Sequence, residues 1–254
     1  MKSSVTSKFF LVVGLVCAAS HITSTRSAAQ EVIYQDSLTT LTGTQTLNGT
    51  SPATDTTGAK WVAAPNIIET SSGTTLGGGV SAYLPFTVTA GDDYTLSLTI
   101  ASAANTTYIG GGFAENNQTS QFYGNGQESY MLLSPSGALS YLSPGNNLPA
   151  TGTYTAPLTL TIKLATTTDG SNWTDTYYAN GVLVGTTSDL PEQINYIGIG
   201  DLNNSAASGA GDITNIELIN DSVAAVPEPS AWALGLVAAA GMLVLTVRRK
   251  QSRA

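Results

Sequence analysis

The chain has 254 residues, of which only 10% are charged, well under the ~25% of an average globular protein. Its one cysteine and one histidine, Cys17 and His21, both fall within the first 29 residues, so the remainder has no thiol, imidazole, disulfide or Cys/His zinc ligand. Between Gln30 and Val226 two lysines, Lys60 and Lys163, face sixteen carboxylates, and the resulting balance of −14 excludes nucleic acid and anionic lipid as partners of that region.

The first predicted element is a signal peptide over 1–29. Lys2 and Lys8 precede the apolar run from Phe9 to Val16, and Ser27-Ala28-Ala29 offers small residues for cleavage before Gln30. A retained anchor is the rival reading, but eight apolar residues fall far short of the ~20 of a membrane span. Val16 does not suit the small position before a lipobox cysteine, so Cys17 is read as part of the signal core.

Residues 30–222 are predicted to form one β-sandwich domain. In "DYTLSLTIA" Tyr94, Leu96, Leu98 and Ile100 alternate with Thr95, Ser97 and Thr99; in "PLTLTIKLA" Leu158, Leu160, Ile162 and Leu164 alternate with Thr159, Thr161 and Lys163. A period of two places each apolar set on one face of a half-buried strand, with β-branched threonines on the other. Further strands are expected at 31–37, 66–70, 81–89, 107–115, 128–133, 138–142, 173–179, 182–187, 194–200 and 212–219. Turn clusters such as "SPGNN" and "TTDGSN" separate them. Asn180-Gly181 accepts the positive φ of a type I′ turn, which predicts a tight hairpin between "TDTYYA" and "VLVGTT". About a dozen short strands, with no amphipathic helix among them, mean an all-β antiparallel two-sheet sandwich of the jelly-roll kind.

Catalytic chemistry leaves no signature in this domain. Without histidine a Ser-His-Asp triad cannot form, and no strand carries two acids two residues apart, as a glycosidase pair on one sheet face would. Glu115 and Glu128 are the loop acids that a divergent hydrolase would have to use. Oxygen-rich loops "DLNNS" and "DGSN" make Asp201, Asn203 and Asp169 the calcium candidates, although turns call for the same residues. Trp173, Tyr178 and Tyr123 are the candidate glycan contacts; Trp173 and Tyr177 share a strand face, which is also the pattern of core residues. Two "GGG" runs, at 77–79 and 110–112, precede no helix and so are not phosphate loops. Thr-x-Thr occurs in "TGTQT" and "TGTYT", a spacing used by ice-binding solenoids, but without the fixed period such arrays need.

The stretch "LTIKLATTTDGSNWTDTYYANGVLVGTT…INYIGIGDL…GAGDITNIELI" resembles the concanavalin A-like, laminin-G-like jelly roll in its order of strand, polar turn, aromatic strand ending in "NG", and return strand. The resemblance, over roughly residues 80–220, implies two curved sheets with a concave face and loops that in some members bind sugars or calcium. It carries over no ligand set.

The last element, 226–254, contrasts with all of this. Pro227-Glu228-Pro229 is followed by the apolar run 231–247 and then by Arg248-Arg249-Lys250. At 1.5 Å per residue those 17 positions reach ~26 Å, enough to cross a thin bilayer as a helix. Trp232 suits an interface, and the basic cluster obeys the positive-inside rule as a cytoplasmic membrane stop. The three-part arrangement strongly resembles the PEP-CTERM sorting signal of exopolysaccharide-producing Gram-negative bacteria. That resemblance implies processing by an exosortase near Pro-Glu-Pro, after transient anchoring in the inner membrane; a plain anchor that stays attached is the rival. The expectation is therefore an exported surface or matrix protein, non-catalytic, with polysaccharide as partner, calcium as a candidate cofactor and no nucleic acid. A divergent glycoside hydrolase and an ice-binding or adhesion protein are the competing readings.

Overall fold

A computed structural model describes residues 30–40, 43–103, 107–120, 127–143, 146–189, 193–201 and 211–222. The segments expected as signal peptide (1–29) and sorting tail (226–254, with Pro227-Glu228-Pro229 and Arg248-Arg249-Lys250), Tyr123 and Asn203 lie outside the described residues.

Every element among the described residues is a strand, and all paired strands are antiparallel. One sheet of ten strands runs β15-β14-β13-β8-β17-β6-β5-β2, with β1 paired to β17 and to β3. Its long members are β8 (Asp93–Ala103), β13 (Leu158–Thr166), β14 (Trp173–Ala179), β15 (Val182–Asp189) and β17 (Gly211–Asn220), joined by β1 (Glu31–Asp36). The edge toward β2 (Gln45–Thr46) is built from the short β5 (Ile68–Thr70) and β6 (Gly73–Leu76), while β3 (Thr54–Asp55) flanks β1. The second sheet, of seven strands, runs β12-β11-β10-β9-β16-β7-β4. It comprises β4 (Val62–Ala63), β7 (Ser81–Pro85), β9 (Ile109–Ala114), β10 (Gln127–Leu133), β11 (Leu139–Ser143), β12 (Asn146–Pro149) and β16 (Tyr196–Asp201).

The alternation legible in the sequence sets which face meets the other sheet. Tyr94, Leu96, Leu98 and Ile100 of β8 and Leu158, Leu160, Ile162 and Leu164 of β13 are buried, whereas the residues between them are half-buried or exposed. From the smaller sheet Phe113, Met131, Ile197 and Ile199 complete the shared core. Phe86 packs on Tyr94 at 5.0 Å and on Phe113 at 5.8 Å, and Tyr141 meets Tyr177 across the sheets at 4.8 Å. Each fully buried large apolar side chain contributes about 1.5–3 kcal/mol. On the outer face of the larger sheet hydroxyls pair across strands, Ser97 with Thr161 at 3.1 Å and Thr99 with Thr159 at 3.3 Å.

The Asn180-Gly181 hairpin forms as expected. Ala179 faces Val182, and the two turn residues have φ of 49° and 76°. The expected segmentation differs elsewhere. Seventeen strands form among the described residues, not about a dozen, because β2, β3, β4, β6 and β12 are too short to show a period. Asn146 and Asn147 belong to β12 and not to a turn, and the strand expected over 81–89 ends at Pro85.

Two poles follow from the register. Glu31 pairs with Asn220 and Asn220 with Tyr94, so the domain's two ends and the start of β8 share one pole. Ala103 pairs with Gly211, and Ile109 with Leu133 and Asp201, at the other. Eleven residues of β8 separate the poles, roughly 34 Å at ~3.4 Å per residue.

Candidate functional site

Asp169 and Asp201, from the two oxygen-rich loops, lie at opposite poles. Asp169 lies in the β13–β14 turn at the terminal pole, where Thr166 Oγ1 takes the Gly91 N–H at 2.7 Å. Its carboxylate accepts from Thr167 Oγ1 at 2.6 Å, Ser171 N at 3.0 Å and Ser171 Oγ at 2.8 Å, and these donors hold its pKa down at about 2. Asp201 ends β16 at the distal pole, with 0% of its surface exposed. Its two oxygens accept the Val80 N–H at 2.6 Å and the Gly79 N–H at 3.2 Å. Burial raises its pKa, against the lowering exerted by those amides. Asp201 therefore pins the β7 entry as a structural acid. Among the described residues no group of three acidic, His or Cys side chains is placed to hold a metal.

The aromatic candidates divide. Trp173 is 7% exposed, on the inward face of β14 with Asp175 and Tyr177, so its role is core packing and not glycan contact. Its Nε1 has no hydrogen-bond partner among the described residues. Tyr178 points the other way, half-buried on the outer face of the larger sheet, with Lys163 Nζ 5.8 Å above its ring. Inward of it lies a polar node between the sheets: Ser129 donates to Asp175, and Tyr177 OH lies 3.4 Å from Ser129 Oγ.

The outer face of the smaller sheet carries rings the sequence did not single out. Tyr130 faces Gly112, Gly112 faces Gly198, and Gly198 faces Tyr83, giving a tyrosine-walled row with a glycine floor. Tyr83, Tyr130, Leu132 and Ala114 are all buried, with Tyr196 packed edge-on to Tyr83 at 6.2 Å. The segment after β9 returns to the start of β7, where Ser81 N donates to Thr119 O at 3.1 Å. This row is closed to a ligand. Glu115 and Glu128 come close along the backbone: Glu128 occupies the bulge of β10 beside the end of β9, and Glu115 follows that end.

Among the described residues two open concavities lie at the poles. At the terminal pole a cleft of about 650 Å3 runs between Tyr34, Thr57, Phe86, Tyr94 and Asn220, with Glu31 on its edge. Its phenols are engaged internally: Tyr34 OH donates to Pro85 O at 2.5 Å, and Tyr94 OH accepts from Thr89 N at 3.0 Å. Burial raises both phenol pKa values. At the distal pole a cleft of about 460 Å3 opens between the end of β8 and the β10–β11 hairpin. Ser102, Ser134, Ser136, Thr153, Tyr154 and Thr155 supply hydroxyls around it. The sequence marked only part of it, the Thr-x-Thr spacing of "TGTYT", because the end of β8 and the β10–β11 hairpin join that segment only in the fold.

The walls of the distal cleft are fixed by backbone contacts. Ser134 N donates to Ala138 O at 2.8 Å, Ala138 N to Ser134 Oγ at 2.9 Å, and Tyr154 N to Gly137 O at 2.8 Å. Gly137 has φ of 81°, and a Cβ there would stand 2.7 Å from Tyr154 O. Only glycine lets the hairpin and the 153–154 segment approach so closely.

No family model matches the chain, and no curated protein matches it in sequence. Among solved structures it is similar to the Emp47p carbohydrate recognition domain, at 15% identity and a TM-score of 0.49, over 75% of this chain and 96% of that one. It is also similar to an endo-1,3-β-glucanase from Streptomyces sioyaensis, at 12% identity and 0.46, over 75% and 96%. The Ca2+/Man3GlcNAc-bound exoplasmic/lumenal domain of VIP36 aligns at 10% identity and 0.42, over 62% and 82%.

Proposed function

We propose that this is an exported, non-catalytic protein of the cell surface or polysaccharide matrix, sorted by its PEP-CTERM-like tail, with a sandwich of concanavalin A-like type that holds glycan weakly. One observation carries the reading. Gln30 and Asp221 touch at the terminal pole, so a signal before the domain and a membrane tail after it leave from the same side. The acidic balance supports solubility in that setting, and no cofactor is invoked. Intact-mass measurement on protein from the native host tests the sorting: a mature form starting near Gln30 and lacking everything beyond Pro229 is expected. A mature chain that retains Trp232 to Ala254 overturns it.

The hydrolase remains the second reading, because the β9–β10 register sets the Glu128 backbone at the end of β9 that Glu115 follows. Release of reducing sugar from the host's polysaccharide, abolished by Glu115→Gln or Glu128→Gln, would establish that reading in place of the first.

A further inference from the structure

We infer that the distal cleft beside Tyr154 is a saccharide-binding site that prefers a neutral sugar to an anionic one, read at the seam between the two sheets and not on a sheet face. The inference rests on the proposed glycan-holding role and adds the site and the charge class of the ligand.

The lining has two chemistries in the right places. Leu133, Ala103 and Ala156, packed against the core, form an apolar floor, with the Tyr154 ring beside them. Such a floor suits the C–H face of a pyranose ring. Around it stand the exposed Ser136, Thr153 and Thr155. The hydroxyls of the exposed Thr153 and Thr155 can each both donate and accept, as sugar hydroxyls do. A volume of about 460 Å3 lies in the ~300–1,000 Å3 range of small-ligand sites.

Charge sets the selectivity. Apart from the Tyr154 phenol, no titratable side chain among the described residues lines the cleft. The acid at its lip, Asp212, accepts from Ser102 Oγ at 3.0 Å and from Thr75 Oγ1 at 2.7 Å, so both its oxygens are engaged within the protein. A uronate, sulfate or pyruvylated sugar would meet that carboxylate with no cation in the lining, inside a domain of strongly negative balance. A neutral hexose is therefore favoured over an anionic one. The fixed hairpin and Gly137 contact hold the rim in place before binding, which lowers the ordering cost of a weak site.

The test is calorimetric titration of the full chain in a zwitterionic detergent without a sugar headgroup. Probes are neutral hexasaccharides of β-1,3-glucan, β-1,4-glucan, β-1,4-mannan and α-1,4-glucan, neutral oligomers from the host's polysaccharide, and an alginate hexamer. At least one neutral probe should bind ten-fold or more tightly than alginate. Ser136→Trp and, independently, Thr155→Trp fill the cleft and should each weaken that binding at least ten-fold; Thr57→Trp, in the cleft at the other pole, should leave it unchanged. No binding by any neutral probe, equal or tighter alginate binding, or binding that survives both cleft-filling changes overturns the inference. Loss of binding with Thr57→Trp alone would move the site to the terminal pole and overturn it too. Failure here with normal sorting removes the site and leaves the exported reading; failed sorting with this selectivity intact does the reverse.

Discussion

The side-chain amide of Gln30 donates to Asp221 Oδ1 at 2.7 Å across 191 residues of sequence, closing the domain where it begins and ends. Behind this contact Tyr34 and Asp36 of β1 are buried, and Asp36 accepts the Trp61 indole N–H at 2.8 Å and the Leu38 N–H at 3.1 Å. Trimming the domain to start at Ser37 removes all of these and leaves Trp61 Nε1 buried without its acceptor. The loss should far exceed the ~1 kcal/mol of an average point change. Asp36→Ala alone should cost about 1–3 kcal/mol, from the unsatisfied donors. Thermal melts check both, and Asp36→Ala at the parent Tm would show that the carboxylate is not holding the indole.

The β14–β15 hairpin isolates a backbone effect. A Cβ at Gly181 would meet nothing within 4 Å, so space is not at issue, but its φ of 76° is. Gly181→Val should therefore destabilise by roughly 1–2 kcal/mol through φ alone. Denaturant titration with an unchanged m-value is the expected signature, since the denatured state is not being altered in compactness.

How far the sequence could be read depends on the length over which a pattern repeats. β8 and β13 run for eleven and nine residues, and their alternation named both the strands and their buried faces. β4, with two residues, has no period to detect and exists because Tyr83 and Ala82 of β7 offer it an edge. Hydroxyl residues that share no interval in sequence, Thr159 with Thr99 and Thr161 with Ser97, come into rows because strands pair antiparallel. Trp173 looked ambiguous because burial is decided by the opposite sheet and not by its own strand. Asp201 looked like a loop ligand because the chain contains "DLNNS"; that its oxygens would find the Gly79 and Val80 amides, over 120 residues away, is a tertiary fact. The Tyr154 cleft was not legible for the same reason: "TGTYT" shows a spacing, but the segments that wall it meet only in the fold.

The triple glycine of β9 was legible as a run but not as a requirement. A Cβ on Gly112 would stand 2.1 Å from Ser129 O and 2.4 Å from Tyr130 Cα; on Gly111 it would stand 2.3 Å from Gly198 O. These are backbone atoms of neighbouring strands and cannot yield. Gly112→Ala should cost more than the ~1–3 kcal/mol of ordinary overpacking, to the point of losing the native sheet order. Loss of slow-exchanging amides across β9, β10 and β16 is the measurement, and a native exchange pattern in the variant would refute the close approach.

Two carboxyls at opposite poles should titrate in opposite senses. Asp169, exposed but ringed by Thr167 and Ser171 donors, has a folded pKa of about 2 against 3.8 ordinarily. A depressed pKa means that its contribution to stability is present above pH ~4 and is lost as pH falls toward 2. Asp201, raised by burial, reverses the sign: the protonated form favours the fold, so its contribution is full below the ordinary 3.8 and is lost as pH rises through the folded value. Carboxyl carbon shifts followed by NMR should place the Asp169 midpoint near 2 and the Asp201 midpoint above 3.8. Removing the first donor with Thr167→Val should raise the Asp169 midpoint while leaving Asp201 unmoved, because the β8 strand separates the two sites by its full length. Coincident midpoints for the two groups would mean that neither the turn donors nor burial act as the geometry requires. Asp201→Asn offers the complementary check. It puts an amide donor against the Gly79 N–H, so it should lower Tm at neutral pH by the equivalent of about 1–3 kcal/mol, the cost of a buried donor without an acceptor.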